Sequence, residues 1–146
     1  GAAGVNIETG VNQLGWMSWY SPLITDNSGN VFTRPEFSGM LAFAYASSGE
    51  RIWSECETGE LNFKAYPVAV RNGQLAVTLI NKDVTRNALV SLTSTKRLKP
   101  IRWDRLSGPS LSSKEGVVLR GDRDLPSLQQ LMVPAGSAAI VTCSYV

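Results

Sequence analysis

The sequence predicts a mainly β protein: an antiparallel two-layer β-sandwich preceded by a strand-loop-helix segment. Three observations carry this expectation. Between residues 51 and 146, apolar side chains alternate with polar ones in about seven or eight short runs separated by turn residues. Asn72-Gly73 separates two of those runs, and both residue types accept the positive φ that a tight hairpin turn demands. A helical repeat, by contrast, is confined to the stretch 33–49.

In chain order, residues 1–32 are rich in Gly and Asn, and only Gly4-Val5-Asn6-Ile7 reads as a strand, the rest as loop. Thr33-Arg34-Pro35-Glu36 has capping-box spacing: Thr33 can accept from first-turn amides, Glu36 can reach back, and Pro35 is tolerated in the first turn. Phe37, Met40, Leu41, Ala44 and Ser48 then form one stripe, and Gly49 is placed to end the helix at C′. Residues 1–50 therefore have the grammar of one βα unit. Such a unit cannot cover a parallel strand on both faces by itself, so either it packs on the sandwich or its natural neighbours lie elsewhere.

Past Gly49 the period changes to two. Arg51–Cys56 reads as extended, with Trp53 as a core residue. Leu61, Phe63 and Ala65 alternate, and Tyr66, Val68 and Val70 take the opposite phase around Pro67, which predicts a bulge or an edge position. Gln74–Lys82 is the hairpin partner. Ala88–Leu92, Ile101–Trp103, Val117–Leu119, Leu131–Val133 and Ala138–Ile140 continue the strands, with Trp103 in the core, and 51–146 is read as the sandwich domain.

Composition narrows the chemistry. The 146 residues are 43% hydrophobic and 18% charged, enough apolar material for a core, and include no histidine. That excludes a Ser-His-Asp or Cys-His nucleophile, a His-ligated metal and a histidine base, so any catalysis would rest on carboxylates. With 14 basic and 12 acidic side chains, the charge is near balance. No nucleic-acid partner is expected, and the one basic cluster, Lys96, Arg97 and Lys99, reads as a solvated loop. No run approaches the roughly 20 apolar residues of a membrane helix, so no membrane partner is expected either. Cys56 and Cys143 form no CxxC pair; they are read as one long-range bridge or as two buried thiols.

Several residues carry potential chemistry. Trp16, Trp19 and Tyr20 cluster in a loop, where flat rings with polar handles suit a sugar subsite or plug a junction. Glu55 and Glu57, with Glu60 nearby, would share a strand face about 7 Å apart and read chiefly as the solvated side of an edge strand. Asp122 and Asp124 flank Arg123 in a turn with too few ligands for a calcium loop. No metal and no cofactor is expected.

The order of short motifs resembles the C-terminal part of retaining glycoside hydrolases built as a (β/α)8 barrel plus a β-sandwich, most closely family 79, the β-glucuronidase and heparanase-like group. Gly4–Ile7 is similar to the eighth barrel strand, Tyr20-Ser21-Pro22 to the loop after it, and Pro35–Phe43 to the last barrel helix. Val77–Lys82, Leu106–Ser110 and Val133–Ala139 resemble sandwich strands. Retaining glycosidases use two carboxylates about 5–5.5 Å apart. The resemblance places that pair at the ends of barrel strands four and seven, upstream of anything matched here. No catalytic residue is therefore assigned, and the chain alone is not expected to be an enzyme. Glu8 follows the strand-eight match at a position where barrel sites gather; with Trp16, Trp19 and Tyr20 it forms the candidate ligand-binding set.

The resemblance thus implies a non-catalytic sandwich bracing a barrel segment that this chain does not contain, in an extracellular or periplasmic setting. Two alternatives stand beside it. One is a stand-alone module with a carbohydrate partner, and the other is a small protein whose partner is a second copy of itself.

Overall fold

A computed structural model of the protein describes residues 21–70 and 73–146. The strand read at Gly4–Ile7 lies outside the described residues. The chain runs β1 (Leu23–Thr25), β2 (Val31–Thr33), α1 (Pro35–Ala46), β3 (Gly49–Arg51), β4 (Phe63–Val70) and β5 (Gln74–Asn81). It continues through β6 (Ala88–Val90), β7 (Leu98–Ser107), β8 (Val118–Gly121), β9 (Leu131–Val133) and β10 (Ser137–Tyr145). Fold class follows expectation: the chain is mainly β, with antiparallel pairing throughout.

The principal sheet has the order β3-β4-β5-β10-β7-β8, and β6-β9 forms a second layer across the core. Alternation on β5 explains why both faces of the principal sheet are used. Leu75, Val77 and Leu79 meet Ala88, Leu131 and Val133 of the second layer, together with Phe63, Trp103, Ala139, Val141 and Cys143. The opposite phase, Ala76 with Ile140 of β10, meets Ala42 and Ala46 of α1. Segments outside any strand complete the second layer: Ile52, Leu61, Leu92 and Leu128 pack on the core, and the Leu92 amide donates to the Leu128 carbonyl (2.7 Å).

The structure corrects the N-terminal reading. Residues 23–33, expected as loop, are the β1-β2 hairpin, turned by Asp26, whose carboxylate Oδ1 accepts from the Ser28 and Asn30 amides (both 2.9 Å), and by Gly29 at φ 81°. Thr33 belongs to β2 and caps nothing. The Arg34 amide donates to the Pro22 carbonyl (2.8 Å), which keeps Arg34 extended and starts the helix one residue later than the capping box implied. Pro35 at the helix start loses no intrahelical bond.

The buried stripe of α1 is Ser38, Ala42 and Ala46, not the Phe37-Met40-Leu41-Ala44-Ser48 stripe. Its alanines let the helix lie close to the sheet, and Ser38 Oγ donates to the Val117 carbonyl (2.9 Å). Gly49 is not a C′ residue either: it opens β3, where a Cβ would stand 2.1 Å from the Ala69 carbonyl oxygen. Only glycine permits that approach.

Pro67 sits in an unbroken β4-β5 register opposite Val77, so no bulge forms. Nor is β4 an edge strand, since it lies between β3 and β5; Pro67 is tolerated because β3 ends beside it. The N–H and C=O of one residue in an antiparallel strand point to the same side. Pro67 accepts from the Ile52 amide there (3.0 Å), so its missing donor faces β3, and the β3-β4 ladder stops at Arg51. Ile52 packs on the core, whereas Trp53, expected in the core, is 80% exposed. Two adjacent residues of an extended chain cannot both face inward.

Both cysteines are free, so no bridge forms; Cys143 is buried and Cys56 exposed. The expectation of two buried thiols thus holds for one of them. Burial pushes the Cys143 thiol up, making it a poorer nucleophile.

Candidate functional site

The candidate ligand-binding residues Glu8, Trp16, Trp19 and Tyr20 all lie outside the described residues. The remaining candidates are placed apart. Glu55 and Glu57 are exposed in a segment that is not a strand, and Glu60 reaches Arg86 (3.8 Å). Asp122 accepts from Arg105 (2.6 Å) and its amide donates to the Trp103 carbonyl (2.9 Å), which makes it a turn residue beside β7. Lys96, Arg97 and Lys99 are exposed, with the Lys96 ammonium over the Tyr145 ring (5.2 Å).

Three described regions concentrate polar chemistry. The first is the seam between the layers, where β5 ends. Asn81, 1% exposed, donates from Nδ2 to the carbonyls of Arg86 (2.8 Å) and Val133 (3.1 Å) and accepts the Asp83 amide (3.1 Å). Asp83 in turn accepts the Thr85 and Arg86 amides (3.1 and 2.9 Å) and pairs with the Arg86 guanidinium (2.7 Å). The Arg86 side chain beside it, helped by those amides, holds the Asp83 carboxyl well below the usual carboxylate range.

That shift has a pH consequence. A folded-state pKa below the unfolded value means the stabilisation is present at neutral pH and fades as pH falls below the ordinary value of 3.8. The difference between thermal melts of the protein and of Asp83→Asn should therefore be full at pH 7, begin to shrink only below about pH 4 and go on shrinking toward pH 2. A gap unchanged over that range would show that the ion pair contributes nothing.

The second region is a cleft of about 330 Å³ near the start of α1, lined by Pro35, Leu106, Val117 and Ala138 together with serines and Lys82. None of its lining residues is Asp or Glu, so these walls offer no acid/base pair for glycoside cleavage. Beside α1, Arg102 forms a two-pronged pair with buried Asp104 (2.6 and 2.9 Å), its guanidinium stacked on Tyr45 (5.3 Å). This pair ties the helix to β7.

The third region lies on β3 and β4, at one end of the principal sheet. The Arg51 guanidinium lies over the Tyr66 ring (5.8 Å), with Trp53 beside them in the chain. Sequence reading missed this grouping because it assigned Trp53 to the core. The adjacency of Ile52 and Trp53, which allows only one of them inside, was the available signal.

No family model and no curated protein sequence matches the chain. Solved structures do. An α-L-arabinofuranosidase from Thermotoga maritima superposes with a TM-score of 0.74 at 10% identity, over 87% of this chain and 32% of its own. The GH51 arabinofuranosidase from Xanthomonas axonopodis pv. citri gives 0.63 at 12% identity, over 90% and 30%. The GH51 α-L-arabinofuranosidase from Thermotoga petrophila RKU-1 gives 0.59 at 10% identity, over 84% and 31%. The chain thus spans about a third of the length of the enzymes it resembles, and what it shares with that part of these glycoside hydrolases is their fold.

Proposed function

We propose that this chain is the non-catalytic β-sandwich portion of a glycoside hydrolase-like protein, and that it braces a barrel carried by another part of that protein. The observation that carries this reading is the superposition of most of the chain on about a third of each arabinofuranosidase. The surface of α1 supports it. The helix is apolar nearly all round, with Glu36 its one charged residue, and a helix of that kind is normally covered on both sides. One side meets the sheet; away from it Phe43 is 73% exposed, with Tyr45 also exposed. The family 79 assignment is the finer form of the proposal and rests on the motif order.

The assay is direct. Purified chain should not hydrolyse aryl α-L-arabinofuranosides or aryl β-glucuronides. The segment encoded upstream of Gly1, supplied separately, should bind the chain, and Phe43→Glu should abolish that binding while leaving the melting temperature unchanged. Turnover by the chain that survives stringent purification would overturn the reading, as would an upstream segment that fails to bind or a gene that opens at Gly1.

A further inference from the structure

We infer that the cleft at the start of α1 is a binding site for a single medium-chain alkyl carboxylate, its chain lying across Ala138 and its head group at Lys64 and Lys82. This site is separate from the bracing role and does not rest on it.

Strand pairing builds the floor. Ala138 of β10 stands directly opposite Ile80 of β5 on one side and Leu106 of β7 on the other, and all three line the cleft. Directly paired residues share a face of the sheet. It is the face that carries α1, because Leu106 packs with the Ala42 and Ala46 cluster. The helix covers that face farther along, where Ala42 and Ala46 meet Ala76 and Ile140, and of its residues Pro35 alone lines the cleft. A methyl group between two branched side chains leaves a trough in the row. Two steps of about 4.8 Å between strands make that row about 10 Å long, roughly an extended octyl chain.

The walls are held in place. Ser38 Oγ donates to the Val117 carbonyl (2.9 Å), which ties the loop after β7 to the helix. Within that loop the Ser113 amide donates to the Ser110 carbonyl (3.2 Å) and the Ser110 amide to Ser113 Oγ (2.9 Å). The turn sets Leu111 against Gly136, where a Cβ would stand 2.9 Å from Leu111 Cδ2. Leu111 is nonetheless 67% exposed, so an alkyl chain in the trough would cover apolar surface that now faces water. At about 330 Å³ the space lies at the lower end of the range for small-molecule sites.

Charge selects the head group. Lys82 is the one charged residue lining the cleft, and Lys64 of β4 stands directly opposite Ile80 on the same face. Both lysines therefore lie at the Ile80 end of the row, whereas the other end runs through Leu106 to its partner Leu119. Neither lysine is ion-paired among the described residues. The one carboxylate on β4, β5, β7, β8 and β10 is that of Asp104, already held by Arg102. Asp83, next to Lys82, is buried and paired with Arg86. Glu36 and Glu115 are exposed, line no part of the cleft and pair with neither lysine. A row that is cationic at one end and apolar along the rest matches an anionic head on an alkyl chain.

The test is an NMR titration of the intact, isotope-labelled chain with octanoate, butyrate, dodecanoate, octanol and octylammonium, each kept below the concentration at which it aggregates. Octanoate should bind saturably, with shifts concentrated at Ile80, Leu106, Leu111 and Ala138. From butyrate to octanoate the affinity should rise by up to about fourfold per methylene, and it should level off by dodecanoate, whose extra length finds no trough to fill. Octanol should bind about three- to fivefold more weakly than octanoate, the scale of an exposed ion pair, and octylammonium more weakly still. A Lys64→Met, Lys82→Met variant should lose that preference while its circular dichroism stays unchanged, since both side chains are exposed. Leu111→Ser should weaken octanoate without altering the preference. Absence of saturable octanoate binding would overturn the proposal, as would shifts centred on Phe43 and Tyr45, affinity still climbing through dodecanoate, octylammonium equal to octanoate, or a double lysine variant that keeps its full preference for the carboxylate. None of these outcomes bears on whether the chain braces a barrel.

Discussion

Trp103→Ala is expected to destabilise the protein by about 3–5 kcal/mol, the usual range for truncating a buried large aromatic. Trp103 lies on β7 opposite Val141 of β10 and is buried with Phe63, Leu79, Leu131 and Val133. Its neighbours Arg102 and Asp104 face α1 and are engaged with each other, so neither can swing inward to fill the gap. The surroundings are strands in paired register on the sheet side and β9 on the other, which limits collapse around the cavity. Single domains are stable by roughly 5–15 kcal/mol, so this one substitution would remove a large fraction of the total. Urea unfolding followed by far-ultraviolet circular dichroism should show a lower midpoint with an unchanged slope. A loss below about 1 kcal/mol would mean that the core around Trp103 repacks freely.

Asn81→Leu is the second large effect, at about 3 kcal/mol, and it has a different origin. Leucine has nearly the shape of asparagine, so packing changes little. What disappears is the set of partners for the Arg86 and Val133 carbonyls and the Asp83 amide. Each buried group left unpaired costs about 1–3 kcal/mol. Because Asn81 joins the end of β5 to β9, the loss should be local before it is global. Amide exchange in β6 and β9 should accelerate more than exchange in β5 and β10. Uniform acceleration across both layers would show that Asn81 is not the link between them.

These two residues also mark how far the sequence could be read. Trp103 was legible because it lies in a short alternating run, and alternation is the physical signature of a strand with one face buried. The same rule found β4 and β5, with Asn72-Gly73 between them, and the mainly β class. It failed where two signals competed. For α1, apolar residues occupy nearly every position, so periodicity carries no phase, and small alanines rather than Phe37 or Leu41 face the sheet. Thr33 has the right spacing for a cap, but a hydrogen bond from Arg34 to Pro22 keeps the chain extended past it, a tertiary contact no local pattern encodes. The β1-β2 hairpin has a turn sequence, Asp26-Asn27-Ser28-Gly29, but its flanking strands of three residues each are too short to establish a period. Of the sites, Asn81 was visible as a strand end, whereas its role depends on β9, which is distant in sequence. The stacking of Arg51 on Tyr66 depends on the pairing of β3 with β4, which no local pattern encodes.

The position of β10 has a consequence for how the molecule is made. This strand, the last in the described chain, lies between β5 and β7 at the middle of the principal sheet. The β4-β5 and β7-β8 hairpins can form from neighbouring sequence, yet the sheet between them is not closed until Ser137–Tyr145 is in place. Completion of the sheet is therefore governed by non-local pairing and slow for a chain of this size. Until that step, β5 and β7 each offer an unpaired apolar edge, which is the interval when a chaperone has most to protect.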